Sequence, residues 1–508
     1  MVTDSSGIRS RLVLPVLAYG ALLVAALQIM VVPIVRDIGV SLGDSTSAVN
    51  WVVTANLLAA AVFTPLLGRL GDLRDRRPVL IGVLAVVLAG SLLAATTHDL
   101  ALLLIGRALQ GVSYAIFPLA LGVLRDELPP RRLTGAMAVV SGMLSAGGGL
   151  ALVATGLLTA NGGDYRRVFW LASVLSAIGL IGARLVIPAR RSSAQGRVDW
   201  VGGMILGAAL VLLLIPLSQG NRWGWGSAPV IGLLTGSLIA FTVFVLTERR
   251  LSRPLVSMRM LTRQPIVVAN IAGVFLGASM FIGFQGATAF VETPSSIAGY
   301  GFGSTVLAAS VVYLLPGALA GVVMSPLAGK LVARSGAKAT LVTAMVLAAA
   351  GFAFLAVLHG SSWQIIAGVF AVLTGVTFGY AALPALLVEH VAPTETGIAN
   401  SVNSIARTVG SSLASALLVI LLTSNLIPGR APALPHQSQY VITFAVGAIG
   451  AGIAAIAVMF GLPAVYATPL RRSAPRATSS GPRPAPTHRS PWTSPRRPAV
   501  YTAGNEDA

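Results

Sequence analysis

The chain has 508 residues, 55% of them hydrophobic and only 10% charged, with a mean hydropathy of +0.83. A soluble domain of ordinary composition carries about 25% charged residues, so disorder, an ordinary soluble enzyme and a coiled coil are excluded. A polytopic helical membrane protein is indicated instead. The formal net charge is +19, but the basic residues sit in short loops between apolar runs and in a tail. That pattern fixes membrane topology and does not build a nucleic-acid groove.

A membrane crossing needs about 20 apolar residues. Six segments come first, at 12–33, 51–70, 79–97, 100–123, 134–158 and 168–187. Two more follow at 201–219 and 229–247. The last six lie at 265–290, 304–328, 339–358, 364–388, 397–423 and 440–464. The first reads as a retained span, because its apolar run is longer than a signal peptide's and no small-residue cleavage site follows it.

The loops test the count. With the N-terminus (1–11) inside, the inner loops hold 18 basic residues and the outer loops 5. The inner set runs from Arg69, Arg74, Arg76 and Arg77 through Arg190, Arg191, Arg197 and Arg253 to Lys338; the outer set is Arg36, Arg166, Arg167, Arg222 and Arg430. The asymmetry predicts fourteen crossings with both termini cytoplasmic. Residues 465–508 are rich in Pro, Ser, Thr and Arg and read as a disordered cytoplasmic tail.

One repeat is visible. Thr64-Pro65-Leu66-Leu67-Gly68-Arg69-Leu70 ends the second span, and Ser325-Pro326-Leu327-Ala328-Gly329-Lys330-Leu331 ends the tenth. Gly68 and Gly329 are 261 residues apart, whereas the first six spans fill only about 175. The surplus fits two inserted spans. The organisation is therefore a six-helix bundle at 12–187, two linker helices with their loops at 188–264, and a second six-helix bundle at 265–464.

Gly68-Arg69-Leu70-Gly71-Asp72-Leu73-Arg74-Asp75-Arg76-Arg77 resembles the signature loop of the major facilitator superfamily between its second and third spans. Gly68, Leu70, Asp72, Arg76 and Arg77 match that pattern; Asp75 stands where it has Gly. Leu103 and Arg107-Ala108-Leu109-Gln110-Gly111 resemble the Arg-x-x-Gln-Gly motif of proton-coupled exporters. With fourteen spans, the resemblance narrows to the fourteen-helix drug:proton antiporter branch, and it covers nearly all of 12–464. It implies alternating access, export of small organic molecules or drugs, and protons as a candidate counter-ion. Two departures are plain. Val24 stands nine residues before Pro33, where the branch has Asp, and the fifth span has Gly147-Gly148-Gly149 but no Gly-Pro.

Ionisable groups inside a bilayer are costly enough to be functional candidates. Arg107 and Arg407 are the two clear cases. Arg107, Gln110 and Tyr114 share a helix face, as do Asn400, Asn403, Arg407 and Ser411. A polar stripe must face protein or water. It is either interhelical glue, favoured for the Arg407 stripe, or the lining and coupling machinery of a transport path, favoured for the Arg107 face. Asp72 is placed to accept helix N-terminal amides and a nearby Arg, so Gly68, Asp72, Arg76 and Arg77 form a candidate gating loop. Gln28, Asn56, Asn270 and Gln285 are single polar groups in spans, each more often glue than a substrate contact. With Phe281, Phe284 and Tyr313 they are candidates to line a mostly apolar cavity. Glu292, beside a Pro at a span end, is the candidate proton carrier.

No phosphate-cradling loop ends in Lys-Ser/Thr, and neither His-Glu-x-x-His nor Gly-x-Ser-x-Gly is present, so ATP-driven transport and these enzyme chemistries are not expected. The five histidines are scattered and make no metal site. The expectation is a non-enzymatic, multi-pass transporter of the bacterial plasma membrane that needs no cofactor or metal. The alternatives are an uncoupled or differently coupled carrier, including uptake, and a non-transporting membrane sensor.

Overall fold

In a bilayer, a backbone that pairs only with itself must be helical or form a closed barrel, and these apolar runs form helices. The computed structural model describes residues 5–44, 46–189, 199–251, 254–427 and 434–462. Arg190, Arg191, Arg197, Arg253, Arg430 and the tail 465–508 lie outside the described residues.

Thirteen described helices are long and apolar enough to cross a membrane. They are α1 (Leu12–Ile34), α2 (Trp51–Leu73), α3 (Arg76–Thr96), α4 (Leu100–Glu127), α5 (Arg132–Thr159), α6 (Arg166–Val186), α7 (Trp200–Trp223), α8 (Ala228–Arg250), α9 (Gln264–Glu292), α10 (Val306–Val357), α11 (Ser362–His390), α12 (Thr396–Ser424) and α13 (Gln437–Gly461). Each segment read from the sequence falls on one of them, within a few residues. The difference is α10, which joins the expected spans 304–328 and 339–358. At 52 residues it runs about 78 Å at 1.5 Å per residue, more than twice the hydrocarbon thickness of about 30 Å. It breaks at Gly336, whose φ of 84° and ψ of 165° are non-helical.

Polar residues start several helices. Asp75 caps α3 by accepting the Arg77 N–H at 2.9 Å, so the position where the resemblance has Gly holds an N-cap with φ −57° and needs no left-handed turn. Asp99 caps α4 in the same way, and Ser361 with Gln364 forms a capping box on α11. Large apolar side chains such as Ile178, Ile181, Leu238, Ile453 and Phe460 are exposed, as a lipid-facing surface requires.

Two groups of helices emerge from the contacts. In the first, α1 packs on α5 and α6, α3 on α4 and α6, and α2 on α4; in the second, α9 packs on α11, α12 and α13, and α10 on α11 and α13. α7 and α8 pack on each other, and α7 also touches α2 and α12. The two groups meet where α5 lies on α10 and α11, and where α2 and α4 lie on α12.

The α5–α10 seam is built on glycines seven residues apart. A Cβ on Gly142 would lie 2.4 Å from the Gly321 carbonyl oxygen, and one on Gly149 would lie 2.0 Å from the Ala318 Cβ. Gly135 and Gly156 continue the line against Gly329 and Leu307. The run 147–149 is unbroken helix, with its three glycines facing α1, the Phe284 side and α10. Close packing, not a bend, explains it.

Candidate functional site

At the end of the bundle that carries the basic loops, Asp72 is a central tie between the two helix groups. Its side chain is fully buried. It accepts the backbone N–H of Gly397 at 2.9 Å and of Ile398 at 3.0 Å, the first free amides of α12, where helix polarity favours a negative charge. Arg76 donates to the same carboxylate at 3.0 Å and also pairs with Asp126. Gly68 lets α2 come this close to α12, because a Cβ there would lie 2.0 Å from Ser401 Oγ. Arg69 donates to the Thr394 carbonyl at 3.2 Å, and Arg125 donates to Thr396. Arg77 instead stays within the first group, donating to the Arg184 carbonyl at 2.8 Å.

Arg107 lies inside the first helix group. Its Nε donates to the Val52 carbonyl at 3.0 Å, and its Nη1 to the Leu27 carbonyl at 3.1 Å and to Gln110 Oε1 at 2.6 Å. Gln110 passes the chain on to Ser91 Oγ at 2.8 Å, and Asn56 donates to the Arg107 carbonyl at 3.2 Å. The network joins α1, α2, α3 and α4. Of the face read from the sequence, Tyr114 alone reaches the central cavity. Arg107 is spent on backbone carbonyls.

That cavity lies between the two groups, with α1, α4 and α5 contributing from one and α9, α11 and α12 from the other. Gln28, Tyr114 and Arg407 line it, together with Val24, Phe117 and Tyr380, which the sequence reading did not place there. Its volume is about 50 Å³. A buried water needs on the order of 10–15 Å³, so the space holds a few waters and is closed to an organic molecule in this conformation. The Arg407 guanidinium lies over Phe117 at 4.9 Å and Tyr380 at 4.6 Å.

In the rest of the Arg407 stripe Asn403 and Ser411 join helices, and Ser411 also lines the cavity. Asn403 donates to the Ala269 carbonyl at 2.9 Å and to Asn270 Oδ1 at 3.3 Å, and Ser411 donates to the Gly277 carbonyl at 2.9 Å. Asn400 turns back on its own helix, to Thr396. Phe281, Phe284 and Tyr313 stay out of the cavity lining; Tyr313 instead bonds Ser362 at 3.0 Å. Gln285 and Glu292 are half-buried outside the lining. Gln285 lies in a π-helical segment, Ile282–Gly286, a distortion common at functional sites.

The sequence reading also passed over Asp199 and Glu248. Glu248 is 2% exposed; its Oε2 accepts the Val256 N–H at 3.2 Å. Glu248 Oε1 and Asp199 Oδ2 find no partner among the described residues, and both lie against Gly202. In the sequence Glu248 stands beside Arg249 and Arg250 at a helix end, with nothing local to mark it as buried. Only the fold of the 254–256 segment over it shows otherwise.

The family model of the Major Facilitator Superfamily matches residues 17–415 and 318–503. An uncharacterized MFS-type transporter of Mycobacterium tuberculosis strain H37Rv is 30% identical over 85% of this chain and 64% of its own length. The chain therefore spans somewhat less than two thirds of that relative. The tetracenomycin C resistance and export protein of Streptomyces glaucescens is 28% identical, over 83% of this chain and 78% of that one. The crystal structure of the human organic anion transporter MFSD10 shares the fold, with a TM-score of 0.57 at 16% identity over 88% of this chain and 99% of that one. With the motif around Asp72, the all-helical architecture and the family match in agreement, the chain belongs to the Major Facilitator Superfamily.

Proposed function

We propose that this protein exports small organic molecules across the bacterial plasma membrane by alternating access. The first bundle (12–187) rocks against the second (265–464), and the helices within 188–264 link them. In this reading α10 crosses twice, turning at Gly336, which gives fourteen crossings with both termini and the basic loops in the cytoplasm. The observation that carries the proposal is the cavity between the two helix groups, with the Asp72–Gly397/Ile398 contacts beyond it at the basic end. Such a contact, made between groups that must separate, is what a gate requires. The export direction rests on the resistance and export relative.

The test is counterflow in proteoliposomes. Preloaded substrate should drive uptake of labelled substrate, and Asp72→Asn should slow turnover; a change in affinity alone, with turnover intact, would reject its gating role. Absence of counterflow across a panel of cationic, neutral and anionic compounds would reject transport.

Proton coupling in this reading falls to Glu292 or to the Asp72 region. One observation favours a second reading, a carrier not coupled to protons through its cavity: among the described residues no Asp, Glu or His lines that cavity, and Val24 does. Flux under an imposed pH gradient separates the two. Stimulation that is lost in Glu292→Gln supports coupling; indifference to the gradient supports the uncoupled carrier.

A further inference from the structure

Arg407 is the one charged group in the cavity lining among the described residues. Its Nη2 donates to Ser404 Oγ at 2.7 Å, but its Nη1 is buried without a partner. The Phe117 and Tyr380 rings beside the guanidinium attract a cation. They do not supply the charge-assisted hydrogen bond that an oxyanion would. Arginine keeps its proton at any physiological pH, and a buried charge without a counter-ion is costly. The Tyr114 hydroxyl lines the same cavity and is likewise buried without a partner. The cavity thus holds a fixed positive charge, two unused donors and no carboxylate.

We propose that Arg407 Nη1 and the Tyr114 hydroxyl bind the oxyanion of a small amphipathic organic acid, which makes the substrate class of this cavity anionic. This rests on the reading of the cavity as the transport site. Val24, Leu144 and Met280 in the lining offer an apolar surface to the body of such a molecule once the two helix groups part and the cavity widens. Val24 fits this assignment. An aspartate at that position would compete with the substrate for Arg407. The site also straddles the moving interface, since Phe117 and Tyr114 belong to one helix group and Tyr380 and Arg407 to the other. An anion held there contacts both halves at once.

The experiment measures calorimetric binding of three naphthalene probes to the full chain in nanodiscs: 1-naphthoate, 1-naphthamide and 1-naphthylmethylammonium. The acid should bind about tenfold or more tighter than the amide, the change carried by a charge-assisted hydrogen bond. Arg407→Gln should erase that preference, and Arg407→Lys should keep part of it. Val24→Asp leaves Arg407 in place and should weaken the acid by a similar factor while improving the ammonium probe. Equal binding of acid and amide, preference for the ammonium probe, no binding of the acid up to millimolar concentration, or an acid preference that survives Arg407→Gln overturns the proposal. Counterflow of the same probes separates it from the transport reading. Acid-selective binding without counterflow rejects transport and keeps the anion site. Counterflow of the amide or ammonium probe in preference to the acid keeps transport and rejects the anion site.

Discussion

Replacing Asp72 by Asn tests the gate with a nearly isosteric change. The salt bridge to Arg76 does not enter the magnitude, because Arg76 lies in the same helix group and stays with Asp72 when the halves separate. What separates is the pair of bonds from the Gly397 and Ile398 amides, at 2.9 and 3.0 Å. Each bond to a charged acceptor is worth about 1.5–3 kcal/mol. Asn keeps one of them as a neutral bond of about 0.5–1.5 kcal/mol and turns its NH2 toward the other donor. The closed basic end therefore loses about 2.5–4.5 kcal/mol, a shift of roughly 60- to 2,000-fold toward the state open at that end. The chain has no Cys, so spin labels at Arg74→Cys and Lys330→Cys, both exposed positions, report without background. The Asp72→Asn distance distribution should gain a dominant longer component. Superimposable distributions in parent and variant would refute the argument that these two amide bonds hold the gate.

Arg107→Gln should lower the melting temperature in detergent, because it strands the Val52 and Leu27 carbonyls and Gln110; the loss is about 2–4 kcal/mol, and an unchanged melt would show the network is dispensable. Gly277→Ala should destabilise the α9–α12 crossing by about 1–3 kcal/mol, since its Cβ would lie 2.0 Å from the Arg407 carbonyl oxygen; Gly232→Ala, open to within 4 Å, is the control in the same melt. Reporter fusions at Gly226 and Gly360 should read as outside, and an inside signal at either would break the fourteen-crossing topology. Asp164 is held below the usual carboxylate range chiefly by its hydrogen bond from Arg166. Its contribution is present above its unfolded pKa of about 3.9 and fades as pH falls through the lower folded value. Because the pair is exposed, Asp164→Asn should change the melt only slightly at pH 6.

The spans were legible because a bilayer demands long apolar runs, and the Asp72 loop because its spacing is fixed by a turn between two helices. Asp75 misled only in part: the sequence marked a departure from Gly, and the structure supplies an N-cap in its place. The cavity was far less legible. Arg107 and Arg407 look alike in sequence, each a lone arginine in an apolar helix. What separates them is whether neighbouring carbonyls reach the guanidinium, as Val52 and Leu27 do for Arg107. Phe117 and Tyr380 are 263 positions apart in the chain, and nothing local announces that they will enclose one cation. Glu248 was hidden for the converse reason, since its burial depends on a segment that follows the helix and covers it.

The glycine line along α5 has a kinetic consequence. Where side chains interlock, sliding one helix past another means lifting knobs out of holes, and each step adds to the activation barrier. At Gly142 and Gly321 backbone meets backbone, with little to lift. In the proposed alternating-access reading the seam acts as a low-friction pivot, and the slow steps fall to the polar ties at the bundle's end. A methyl group added at Gly149 would act as a ratchet tooth, slowing interconversion in both directions even where it left the balance between the two end states unchanged.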